Sequence, residues 1–186
     1  METCNWPGTD PLMIEYHDSE WGVPLHDDRK HFEFIVLDAF QAGLSWAIVL
    51  KKREGFRKAF SHFDIEKVAG FSEEKILELM KDEGIIRNQL KIRATVNTAR
   101  KFLEIQKEFS SFDKYIWQFT GFRTKVNHWD HLTQLPATST ESDVMSKELK
   151  KRGFKFVGST ICYAYMQAAG MVNDHLVTCF RHKEFS

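Results

Sequence analysis

The chain has 186 residues, 42% hydrophobic and 28% charged, a balance that suits a soluble globular protein with a substantial core. Its 26 basic side chains offset 26 acidic ones, which excludes polyanion binding by bulk charge and leaves only a local basic face. Three cysteines, an odd number, argue against structural disulfides and leave metal binding or a free buried thiol.

The opening METCNWPGTD holds neither a basic stretch nor an apolar one, so no secretory leader is expected and the cytoplasm is the expected compartment. EYHDSEWGVP follows and clusters Tyr16, His17 and Trp21. Next, FIVLDAFQAGLSWAIVL, residues 34–50, carries a single charge, Asp38. Asp38, Gln41, Gly43 and Ser45 interrupt it and it is slightly short for a bilayer span, so it reads as a buried core element with no membrane partner. A carboxylate in such a run is costly unless it is paired or used. Trp46 lies beyond a turn-like Gln41–Leu44 interruption. An aromatic ring beside a buried carboxylate would suit a flat cationic ligand.

The clusters Lys51–Lys52–Arg53 and Lys150–Lys151–Arg152 read as solvated helix ends or as patches of a local basic face. Prolines stand only at 7, 11, 24 and 136, so a long central span is free of helix breakers. Apolar residues recur there at helical spacing: Ile76, Leu79 and Met80, then Ile92, Val96, Ala99 and Leu103. Ser72 before Glu73–Glu74 reads as an N-cap. A second start at TSTESD leads through Met145 and Leu149 to Gly153, and Gly158–Ser159–Thr160 opens a helix ending at Gly170. Two-residue alternation is scarce, so the expected fold is all-α. Within it, ILELMKDEGIIRNQLKIRATVNTARKFLEI reads as two helices joined by a tight turn at Gly84, Ile85, Ile86 and Arg87, followed by Lys91 and Arg93. Amides exposed at such a turn suit a phosphate, though most helical hairpins bind nothing.

His175 and Cys179 are four apart, which on a helix points both from one face; Cys4 and His17 are a second soft pair near the N-terminus. Together they would form a Cys2His2 site stapling the chain ends. His-x3-Cys is not a standard zinc-finger spacing and Cys4–His17 exceeds one helical turn, so spacing leaves the metal open. Cys162 reads as a small apolar core residue, and the remaining histidines as surface or ordinary core.

DPLMIEYHDSEWGVP, QAGLSW, LKKRE, GIIRN and LKKRGFKFVGSTICYAYMQAAGMVNDH, with the flanking Cys4 and Cys179, resemble 3-methyladenine DNA glycosylase I in order from about residue 4 to about residue 180. The resemblance implies an all-α, helix-hairpin-helix glycosylase domain over residues 1–186, with a zinc site joining its N- and C-terminal segments. It implies one structural zinc on Cys4, His17, His175 and Cys179. It places the base pocket on Tyr16, Trp21, Trp46 and position 38, with Met13 beside them, and the phosphate-binding hairpin on Gly84–Arg87 with Lys91. The implied function is monofunctional hydrolysis of the glycosidic bond of 3-methyladenine in double-stranded alkylated DNA, by a monomer of the bacterial cytoplasm and nucleoid. Leu44 reads equally as a wedge into the duplex and as a plain core leucine. Well-known family members carry Glu where this chain has Asp38, and often Tyr where it has Met13. Two alternatives follow: a glycosylase with altered base preference, and a non-catalytic, zinc-stapled module that binds lesions.

Overall fold

The computed structural model of the protein describes residues 2–185. The helices are α1 (Pro11–Ser19), α2 (Asp28–Gln41), α3 (Trp46–Lys51), α4 (Arg53–Ala59), α5 (Ile65–Ala69), α6 (Glu73–Leu79), α7 (Gln89–Phe109), α8 (Phe112–Trp117), α9 (Thr140–Lys151) and α10 (Ser159–Ala168). Their starts follow local chemistry. Side chains of Asp10, Asp27, Ser72, Asn88 and Ser139 each accept from an amide of the first turn, which satisfies donors that the helix leaves unpaired. Ser72 and the TSTESD start thus fall where the sequence put them. α9 ends at Lys151 ahead of Gly153 at φ 90°, and α10 closes two residues before Gly170.

α2 is the central element, flanked by α3, α7, α8 and α10. One side of α7 buries Ile92, Val96, Ala99, Phe102 and Ile105 completely or nearly so, a spacing set by the helical repeat. Phe102 stacks on Phe112 with centroids 3.7 Å apart. His31 on α2 accounts for its own burial: its ring bridges the Tyr165 hydroxyl at 2.7 Å and Asp113 Oδ1 at 3.1 Å.

The all-helical expectation needs one addition. Lys125–Val126 (β1) and Val172–Asn173 (β2) form a two-residue parallel ladder, continued by a bridge between Trp129 and Leu176. It seats the 127–136 segment beside the C-terminal segment. The connection between α6 and α7 is also longer than a tight four-residue turn, running from 80 to 88. It is pressed against α4: a Cβ on Gly55 would stand 2.1 Å from the Gly84 carbonyl oxygen, so only glycine permits this approach.

Candidate active site

The charge in the 34–50 run lies on the inner side of α2, where its neighbours make it conspicuous. Asp38 is 2% exposed, and its Oδ2 has no hydrogen-bond partner among the described residues. Burial pushes its carboxyl well above the usual carboxylate range, and no cation among the described residues draws it back. Beside it opens a cavity of about 330 Å³, walled by Met13, Tyr16, Trp21, Trp46 and, beyond those expected, Trp6 and Gln167. Gln41, Leu132, Leu135 and Ala164 complete the wall.

The aromatic rings form a connected set. Tyr16 and Trp46 are tilted at 48° with centroids 5.1 Å apart, and Trp6 meets Trp21 edge-on at 5.0 Å. The indole nitrogens of Trp6 and Trp46, like Asp38 Oδ2, are buried without hydrogen-bond partners among the described residues. Buried polar atoms are normally satisfied, so three orphans around one cavity point to a ligand that satisfies them. Burial, with Asp38 second, pushes the Tyr16 hydroxyl well above the ordinary tyrosine range, so it meets a ligand as a neutral phenol.

Tyr16, Trp21, Trp46, Met13 and Asp38, on which the resemblance placed the base pocket, stand together on this wall. Gln41, one helical turn after Asp38, and Ala164 with Gln167, a turn apart on α10, were missed in the sequence; that spacing was the available signal. Leu132 and Leu135 arrive from the segment seated by the β1–β2 ladder and had no local signal.

Cys4, His17, His175 and Cys179 are all buried, with their donor atoms within 4.8 Å of one another. Cys4 Sγ lies 3.7 Å from His175 Nδ1, and Cys179 Sγ lies 3.7 Å from His17 Nε2 and 3.6 Å from His175 Nδ1. Zinc bonds of about 2.3 Å to sulfur and about 2.0 Å to nitrogen at tetrahedral angles separate ligand atoms by roughly 3.5 Å. The group therefore has the donor set and spacing to hold a metal. His17 Nδ1 contacts Asp18 Oδ1 at 2.6 Å and His175 Nε2 contacts the Trp21 carbonyl at 3.0 Å, orienting both rings through their far nitrogens. Burial holds His175 down at about 4, which keeps it in the neutral form that ligates. Burial also pushes the Cys4 thiol up to about 12, so a thiolate there calls for a cation. The convergence does not use a helix face: residues 175–179 form a bridge and turn, and His175 and Cys179 meet through that turn. Gly22 makes it fit, since at φ 82° a Cβ there would stand 2.8 Å from His175 Nε2.

The expected DNA-contacting residues divide. Leu44 is 40% exposed on the loop between α2 and α3. Gly84 and Arg87 are exposed, but Ile85 belongs to the core and Ile86 packs against it. Lys91 departs most from expectation. It is 7% exposed, with Nζ donating to the carbonyls of Phe40 at 2.9 Å and Ala42 at 2.6 Å, so its charge is spent on the end of α2 and the Leu44 loop. Each member of the first basic cluster is likewise engaged: Lys51 with Asp10, Lys52 with the Glu83 carbonyl, and buried Arg53 with Glu20 and Glu33.

A helical frame opens onto an aromatic slot with a buried carboxyl group, chemistry that suits a flat cationic ring. The methyladenine glycosylase model matches residues 6–182, and the chain belongs to that family. It is 50% identical over 179 residues to DNA-3-methyladenine glycosylase 1 of Escherichia coli K12, covering 96% of each chain. It is 44% identical over 176 residues to the DNA-3-methyladenine glycosylase of Haemophilus influenzae, covering 95% of each. Among solved structures, a 3-methyladenine DNA glycosylase I superposes with a TM-score of 0.94 at 47% identity, over 96% of this chain and 98% of that one. The Staphylococcus aureus 3-methyladenine DNA glycosylase I, solved to explain 3-methyladenine recognition, gives 0.93 at 34% identity, over 97% and 96%.

Proposed function

We propose that this protein is a base-excision enzyme that hydrolyses the N-glycosidic bond of 3-methyladenine in alkylated double-stranded DNA. The observation that carries this reading is the unpaired Asp38 carboxyl in an aromatic-walled cavity. Methylation at N3 makes adenine cationic and a good leaving group. The flipped base stacks on Trp46 and Tyr16 with Trp21 and Met13 alongside, and Asp38 supplies the opposite charge. A largely aromatic, low-dielectric site makes that pairing stronger than any the base finds in the duplex, so binding favours the expelled base. Asp38 is the one carboxyl among the described residues of the wall, and no lysine lines it. We assign no separate water-activating base and no lyase step.

Leu44 enters the gap left by the flipped nucleotide. For phosphate contacts we add a second helix pair to the Gly84–Arg87 connection. At α7 the Asn88 side chain caps the Lys91 amide, whereas α10 begins at Gly158 with no side-chain cap among the described residues, a start that suits an anion. Arg87 contributes exposed positive charge. Cys4, His17, His175 and Cys179 hold one structural zinc, which joins the two ends of a single domain and takes no part in the chemistry. The enzyme acts as a monomer in the bacterial cytoplasm, at the nucleoid.

Incubation with methylated DNA and chromatography of the released bases tests the activity. Free 3-methyladenine is expected; its absence above a heat-denatured control would sink the reading. Release of other bases in its place would favour altered preference, which the shorter acid at 38 and Met13 motivate. Lesion binding that survives Asp38→Asn with Trp46→Ala, without release by any form, would favour the non-catalytic module.

A further inference from the structure

A second cavity, of about 550 Å³, opens between α8 and α9 and shares no wall residue with the one beside Asp38. Phe109, Tyr115 and Phe119 wall it on one side, and α9 contributes Glu141, Val144 and Glu148. Positions 141, 144 and 148 fall on one side of a helix, so an acid, an apolar residue and a second acid form one stripe. Val144 is 52% exposed, an apolar side chain uncovered between two carboxylates.

Several acceptors in this wall are uncommitted. Tyr115 is 1% exposed, and its Oη has no hydrogen-bond partner among the described residues. Glu141 gives Oε1 to Lys125 Nζ at 2.6 Å, whereas its Oε2 is buried without a partner among the described residues. Arg152, with Cζ 4.8 Å from the Tyr115 ring centroid, is taken by Glu108 and by Glu148, whose Oε1 accepts from its Nε at 3.2 Å. Lys125 and Arg152 thus offset two of the three carboxylates they touch, and the surround stays negative. Buried polar atoms are normally satisfied, so these orphans point to a ligand. Acceptors set among aromatic rings suit a cation on an apolar stem.

We infer that this cavity binds a linear aliphatic polyamine along α9, with one terminal ammonium at Glu141, the other at Glu148, and methylenes against Val144 and Phe119. Helical rise sets positions 141 and 148 about 10 Å apart, a span that an extended triamine covers and a short diamine does not. Tyr115 Oη supplies a third acceptor for the inner nitrogen. Burial pushes the Tyr115 hydroxyl up to about 12, so it meets the ligand as a neutral phenol. The site is separate from the base cavity and does not rest on the glycosylase reading.

Calorimetric titration of the full chain with spermidine tests this, with amide NMR shifts locating the site. Saturable binding of one spermidine per chain is expected, with shifts centred on residues 109–119 and 140–152. Propane-1,3-diamine, too short to reach both acids, should bind about tenfold more weakly. Glu141→Gln should weaken spermidine binding by about tenfold through loss of a charge-assisted contact. The diamine comparison uses the unmodified protein, so it stands even where the variant fails to fold. Absence of saturable binding, equal affinity for the two amines, or unchanged affinity in a folded variant overturns the proposal. Shifts centred instead on Asp38 and Trp46 would also overturn it, since the cation would then occupy the base cavity.

Discussion

Asp38 shows how a single side chain can work against stability and for function at once. In the unfolded chain it titrates near about 3.9, as model carboxyls do; in the folded protein burial raises it well above that. A raised folded value means that the folded state keeps its proton after the unfolded state has lost it. The contribution of Asp38 therefore falls as pH rises from the unfolded value to the folded one. Asp38→Asn should remove this dependence and raise stability at neutral pH by on the order of 1–3 kcal/mol, read from urea unfolding at pH 5 and pH 8. The same change should slow 3-methyladenine release by roughly a hundredfold, as expected for loss of a charge-assisted contact. Pairing with a cationic base also requires the ionised acid, so release should climb with pH through the raised titration and Asp38→Asn should abolish the climb. A variant that lost stability while keeping full activity would make Asp38 a structural residue.

Among the helices, the junction of α2, α7 and the Leu44 loop depends on one ammonium group. Lys91 donates to the Phe40 and Ala42 carbonyls at the C-terminal end of α2, and its Nζ lies 5.9 Å from the Phe156 ring in the α9–α10 connection. It thus draws together the end of α2, the Leu44 loop and the α9–α10 connection. Lys91→Met keeps the stem but leaves two buried carbonyls unpaired, at a cost of about 1–3 kcal/mol. Thermal melting should show that loss, and lesion DNA should bind more weakly because the Leu44 loop is no longer held. Unchanged DNA affinity would confine Lys91 to folding. This junction also marks where the sequence stopped being legible. Caps such as Ser72 and Ser139 and the apolar face of α7 were readable because they obey local rules of spacing and hydrogen bonding. The inward turn of Lys91, the long 80–88 connection and the β1–β2 ladder depend on distant contacts, on which local spacing is silent. The site divides along the same line. The resemblance placed residues 13, 16, 21, 38 and 46 together, whereas Gln167 reaches the same wall from α10 only through the fold.

At the level of the whole molecule, the Cys and His cluster and the base cavity share a wall. His17 directly follows Tyr16, the His175 ring contacts the Trp21 carbonyl, and Trp6 packs edge-on against both His17 and Trp21. A metal holding Cys4 and His17 to His175 and Cys179 would close a loop of nearly the whole chain, which is the case where a cross-link most restricts the unfolded state. It would also immobilise the side of the cavity formed by Trp6, Tyr16 and Trp21. Metal analysis should find about one zinc per chain. Stripping it from a site loaded at about a hundredfold above its dissociation constant should lower Tm by on the order of 5–10 °C. Tryptophan emission should shift in the same titration, since two of the five tryptophans stand against the cluster. His17→Ala should reproduce both effects without chelator. Protein that contains no metal yet melts at the same temperature with the same emission would remove the staple, and with it the idea that the chain ends are joined in order to shape the pocket.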